Sequence, residues 1–91
     1  MIQNGKKLKE LILYIFNNYN NSNLTETKLQ KLLYYCDFNY YQKYGQPITG
    51  FSYSKNTHGP TIKVLPKILQ ELEREGYIKR LKKQNYYGAP Q

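Results

Sequence analysis

From Leu24 to Gly45 the chain carries one unbroken helical pattern with a start signal and a stop signal, and the rest must be arranged around it. Thr25 is placed to cap the helix, Glu26 falls in the first turn where the helix dipole favours an acid, and Leu24 can fold back onto Leu29 as a hydrophobic staple. Leu29, Leu32, Leu33, Cys36 and Tyr40 then repeat at three and four, while Tyr34, Phe38 and Tyr41 make a second stripe beside them. A helix apolar over so much of its circumference is clamped between two elements, or between its own core and a partner. Lys28, Lys31, Asp37, Asn39 and Gln42 are left to face water, and Gly45 closes the helix.

Ahead of this helix, Leu8, Leu11, Ile12, Ile15, Phe16 and Tyr19 share a single helical face, which predicts a first helix over about residues 6–19. An Asn-rich breaker from Asn17 to Asn23 is long enough for an antiparallel turn and too short for a domain linker. After Gly45, Phe51 and Tyr53 alternate with small polar residues as in a half-buried strand, bracketed by Pro47 and two glycines. Asn56 to Pro60 is a turn cluster where the chain breaks and restarts. Ile62, Leu65, Ile68, Leu69 and Leu72 mark a third helix ended by Gly76; Pro66 is tolerated only in a first turn, so a helical segment from about Thr61 is expected to become regular near Pro66. Tyr77 to Lys83 alternates weakly, and Asn85 to Gly88 can return as its hairpin partner. The expected fold is mainly α: one domain over residues 1–91, a three-helix core in which Leu29, Leu32, Leu33 and Cys36 face Leu11, Ile15, Leu65 and Leu69, and a small peripheral β element.

Ninety-one residues cannot be divided into two stable cores. No stretch is long and apolar enough to span a bilayer, and the N-terminus lacks the pattern of a signal peptide, so a cytoplasmic protein with no membrane partner is expected. Cys36 is the single cysteine and His58 the single histidine. Nothing in their spacing joins them as nucleophile and base, two such residues cannot close a zinc site, and no paired carboxylates or phosphate-binding glycine loop is present. Cys36 is therefore read as a buried structural thiol, and the chain as a non-enzyme without cofactor or metal.

A formal charge of +8 implies either attraction to something acidic, whether nucleic acid, membrane surface or protein, or solvated faces that keep a tyrosine-rich chain soluble. The eleven tyrosines offer rigid, amphipathic surface at low entropic cost, suited to a protein interface, although tyrosine also serves as core.

Several separated motifs carry a resemblance. The run from Thr27 to Asp37, the Gly45-Gln46-Pro47-Ile48-Thr49-Gly50 turn, Tyr53, the His58-Gly59-Pro60 turn, and Leu65, Leu69, Leu72, Gly76 and Ile78 closely resemble, in order, the Panacea domain, the SocA-like antitoxin domain of bacteria and phages. The resemblance implies an antitoxin that binds and neutralises a cognate protein toxin, with a protease system as a further partner in some members. Family members usually continue into more C-terminal helices, so a chain ending at Gln91 is expected to be a compact or truncated one.

An antitoxin of this kind needs a few aromatic and aliphatic anchors in a desolvated centre. The partner-binding candidates are Tyr34, Tyr35, Phe38, Tyr41, Phe51, Tyr53 and His58, each of the aromatics having a competing place in the core and the His58 turn serving either contact or helix initiation. Asp37, placed as in the family motif, either caps the neighbouring turn or stays a solvated carboxylate. The same elements fit a winged-helix DNA-binding regulator with a basic wing over Tyr77 to Tyr87. Against that alternative, the central helix is about twice the length of a recognition helix and the third helix carries glutamates where phosphate contacts belong; no specific nucleic acid is expected.

Overall fold

A computed structural model describes residues 3–18, 24–57 and 59–80 and the backbone of 86–88. Three helices and three short strands follow one another as α1 (Gly5–Asn18), β1 (Leu24–Thr25), α2 (Glu26–Tyr44), α3 (Leu65–Arg74), β2 (Lys79–Arg80) and β3 (Tyr86–Gly88). The fold is mainly α with a small β element. Among the described residues no helix is long and apolar enough to cross a membrane.

Local chemistry sets the helix ends. Asn4 starts α1: its side-chain oxygen accepts the Lys7 N–H at 3.0 Å and its carbonyl accepts the Leu8 N–H. Thr25 caps α2 as its position predicts, accepting the Lys28 N–H at 3.0 Å. Gly45 ends α2 in the left-handed region at φ 72°, donating its N–H to the Tyr41 carbonyl. Pro66 falls in the first turn of α3, where its missing N–H is harmless. That helix closes with the Tyr77 N–H on the Leu72 carbonyl, a Schellman-type wrap around Gly76.

The core is aliphatic. Leu8, Ile12 and Ile15 of α1, Leu29 and Leu33 of α2, and Leu65, Ile68, Leu69 and Leu72 of α3 meet Leu24, Ile62 and Ile78. Leu11, Leu32 and Cys36, expected in its centre, are only partly buried and pack against it. Tyr40 departs further: it is 40% exposed and pairs with Tyr44 at 4.6 Å between ring centroids, so the buried stripe of α2 ends before it. Outside the core, Lys9 of α1 clips α3 by ion pairs to Glu71 at 3.0 Å and Glu75 at 3.3 Å. Lys9 thereby holds the Glu71 carboxyl below its usual range.

The β element is a three-stranded antiparallel sheet in the order β1-β3-β2, with Leu24 opposite Tyr87 and Arg80 opposite Tyr87. The C-terminal pair was legible in the sequence; the partner ahead of α2 was not. The strand expected over residues 46–55 does not form. Gly50 turns left-handed at φ 77°, and backbone groups a ladder would use go elsewhere: the Ile48 N–H to Asp37 and the Thr49 carbonyl to the Asn4 N–H. What remains is a single bridge between Ser54 and Thr61.

Candidate functional site

Two buried polar side chains on α2 position the segment between α2 and α3. Gln30, 5% exposed, presents its amide to the backbone of Ile62 as a strand would: the Ile62 N–H donates to Oε1 at 2.8 Å and Nε2 donates to the Ile62 carbonyl at 3.2 Å. Two turns along the helix, Asp37 accepts the Ile48 N–H on Oδ1 at 2.7 Å. Asp37 is 6% exposed, which corrects its assignment to the solvent face and resolves its alternatives in favour of holding the turn. An amide N–H meeting a carboxylate is a charge-assisted bond, so the Pro47–Phe51 turn is seated firmly on α2. Thr49, also buried, adds the bond from the Asn4 N–H to its carbonyl and a bond from the Phe51 N–H to its hydroxyl.

This seating makes a pocket of about 210 Å³. One wall is α2, through Tyr34, Asp37, Phe38 and Tyr41; the other is the segment after it, through Pro47, Phe51 and Tyr53. Inside, the Tyr34 ring meets Tyr53 edge-on at 5.3 Å between centroids and stacks with Phe38 at 6.0 Å. Tyr41, Pro47 and Phe51 also edge a second hollow reaching Gln3, and Pro47 and Gly50 a third that ends at Asn4 and Lys7. The concave surface therefore runs from an aromatic end to a polar one.

Five predicted contact residues, Tyr34, Phe38, Tyr41, Phe51 and Tyr53, thus stand together. Tyr35 does not line the pocket; it lies beside it, 60% exposed, with its ring 6.1 Å from that of Tyr34. His58 lies outside the described residues. Exposure divides the group: Tyr41 and Phe38 are 53% and 44% exposed, whereas Tyr34, Phe51 and Tyr53 are half-buried, with Phe51 and Tyr53 packed against the core. Sequence reasoning missed Gln30, Thr49 and Pro47. For Gln30 a signal existed: a polar residue beside Leu29, on the face that turns inward.

Electrostatics holds two groups at this surface in their protonated forms. Burial pushes the Tyr53 hydroxyl well above the ordinary tyrosine range, and the Asp37 charge adds to the shift, so the phenol stays protonated as a hydrogen-bond donor. Burial likewise pushes the Cys36 thiol up, with Asp37 reinforcing it, which disfavours the thiolate a nucleophile requires. Among the described residues no three His, Cys, Asp or Glu side chains converge as a metal site would need. The arrangement can bind an apolar group and orient it by a few polar ones.

A family model described as "Antitoxin SocA-like, Panacea domain" matches residues 29–90. The chain belongs to that family. No curated protein and no solved structure gives a significant match. The matched span contains both walls of the pocket, Gln30 and Asp37, α3 and the C-terminal strands, while Gln3, Asn4, α1, β1 and the first residues of α2 precede it.

Proposed function

We propose that this Panacea-domain protein is an antitoxin that neutralises a cognate protein toxin by direct, stoichiometric binding, without turnover. The observation that carries the reading is the second half of α2, where Tyr35, Phe38, Tyr41 and Tyr44 stay exposed along a helix whose first half is core. A contiguous aromatic face rimmed by polar residues is how a monomer marks a protein interface. The pocket beneath it gives a partner side chain a desolvated place to anchor, and large rigid aromatics around such a place contribute most of the binding energy of an interface.

Charge narrows the partner. From Phe38 to Pro60 the chain has lysines at 43 and 55 and no acidic residue. A partner surface with acidic residues around an apolar anchor is complementary to it, and such complementarity raises association rate and specificity more than affinity.

The direct test is co-expression with the neighbouring open reading frame, titrating this chain against it. Binding without turnover predicts that toxicity disappears near equimolar antitoxin, with a complex of fixed stoichiometry on gel filtration. A neighbouring product that is harmless alone, or whose toxicity is unchanged by excess antitoxin, would sink the assignment and leave the family membership as fold without function.

A further inference from the structure

The face of α3 turned away from the core has no role in the pocket, and its composition is distinctive. Leu65, Ile68, Leu69 and Leu72 bury one side of the helix. Lys67, Gln70 and Arg74, at a spacing of three and four, share a different side and are exposed. Glutamates on this helix weigh against a nucleic-acid surface when only the sequence is read. The structure offsets two of them: Glu71 and Glu75 pair with Lys9 of α1, so although Glu71 also feels the charges of Lys67 and Arg74 beside it, its own charge is already shared with α1, and Glu73 is exposed on the next strip of the helix. Long polar donors at Lys67, Gln70 and Arg74 are then presented together on one short helix. Lys63 just ahead of α3, and Lys79 of β2 after it, are exposed as well.

Topology adds a second, independent observation. With its extra strand ahead of α2 and not between α2 and α3, the chain runs α1-β1-α2-α3-β2-β3 with the sheet ordered β1-β3-β2. That is the order of elements in a winged helix, in which the third helix is the one offered to the duplex. The length of α2 is then no objection, because α3 holds that place and has 10 residues. We infer that the outer face of α3, with Lys67, Gln70 and Arg74, is a binding surface for duplex DNA. The major groove of B-form DNA admits an α-helix, Lys and Arg reach phosphates or guanine edges, and Gln pairs with adenine. Duplex RNA fits less well, since its deep, narrow major groove excludes side chains. A single strand would instead stack its bases on exposed aromatics. This surface does not depend on the toxin, so it stands or falls separately from the antitoxin reading.

The test uses the full chain and a fluorescent random-sequence duplex of about 20 base pairs, titrated between about 50 mM and about 200 mM salt. The expected result is salt-steep binding that falls about tenfold or more in Lys67→Ala/Arg74→Ala, with the slope of log affinity against log salt reduced by about 2. Lys43→Ala/Lys55→Ala, which removes the same charge from the α2 side, should change affinity less than about threefold. Equal losses in the two variants would mean diffuse attraction to a cationic protein and would overturn the assignment. So would no duplex binding at the lowest salt, or tighter binding of the single strand that Tyr41→Ala abolishes. Should the alanine pair melt early, Lys67→Gln/Arg74→Gln reads the same loss with the side-chain length kept.

Discussion

The two halves of α2 continue one apolar helical pattern, leucine-rich at first and aromatic later, and end in opposite places. From Glu26 to Leu33 the helix is clamped: Leu29 and Leu33 are fully buried, and Gln30 is bonded through both ends of its amide. From Phe38 to Tyr44 every residue is exposed, four aromatics among them. Length explains the difference. At about 1.5 Å per residue, α2 spans about 28 Å, α1 about 21 Å and α3 about 15 Å, so among the described residues no helix as long as α2 runs beside its second half. Among the described residues it is bordered by the Pro47–Phe51 turn, held by Asp37, and by Tyr53. One helix thus supplies both the scaffold and the surface that the scaffold presents.

Leu33→Ala should break the first half most severely. Removing a fully buried leucine leaves a cavity between α2 and the rest of the core, at a cost of about 2 to 5 kcal/mol, a large share of what so small a domain has. Thermal and urea unfolding would read it. A variant melting within a degree or two of the parent would mean that the first half is not the clamp described.

Next in size is Gln30→Ala, which strands the N–H and carbonyl of Ile62 where water does not reach. Roughly 2 to 4 kcal/mol is expected from two unpaired groups. Hydrogen exchange separates this from a cavity effect: protection of the Ile62 amide should drop more than that of the α1 amides.

How much of this contrast the sequence shows follows from range. Caps and stops are local, and so Thr25, Gly45, Pro66 and Gly76 are readable as they stand. Leu29 and Leu33 are readable because leucine at helical spacing has few other uses. Tyrosine is different: its ring covers core and its hydroxyl tolerates water, so the stripe through Tyr40 gives no sign of where burial ends. That end depends on the lengths of the neighbours. Asp37 was ambiguous for a similar reason. Its partner, the Ile48 N–H, is eleven positions away and becomes available only because Gly45 turns the chain back. The five aromatics of the pocket could be nominated from the sequence, but their meeting in one place depends on that turn.

Asp37→Ala tests the hinge between the two halves. The Ile48 N–H loses its acceptor, at about 1 to 3 kcal/mol, and the Pro47–Phe51 wall of the pocket is released. Partner binding should weaken in this variant even under conditions where it remains fully folded, whereas Leu33→Ala should lose binding only as it unfolds. Equal binding by folded Asp37→Ala and by the parent would separate the pocket from the function.

A smaller effect is expected on the alkaline side, and its sign is fixed by the raised Tyr53 hydroxyl. The unfolded chain releases this proton near the ordinary value of about 10, while the folded chain keeps it to higher pH. Folded protein then holds the extra proton, so the contribution is complete below about pH 10 and is lost as pH climbs above it. Urea midpoints for the parent and Tyr53→Phe, measured from about pH 9 upward, should converge or cross as the parent alone loses that contribution. Parallel curves would mean that the Tyr53 hydroxyl is not held in the way described.

The smallest effect on stability, and the one that most sharpens the comparison, belongs to Tyr41→Ala. Tyr41 borders the pocket from the exposed half of α2, with 53% of its surface in water, so truncation removes little buried area and leaves no polar group unpaired. Unfolding should shift by no more than about 0.5 kcal/mol. If the exposed half is an interface, the same substitution should cost on the order of 2 to 4 kcal/mol of complex stability, because a rigid aromatic at the mouth of a desolvated pocket is where binding energy concentrates. The two measurements on one variant, melting of the free chain and affinity for the proposed partner, therefore place Tyr41 on one side of the division or the other. Unchanged melting with lost affinity assigns it to the surface, whereas a loss of melting temperature comparable to that of Leu33→Ala would show the clamp extending through the whole helix and leave the aromatic face as core.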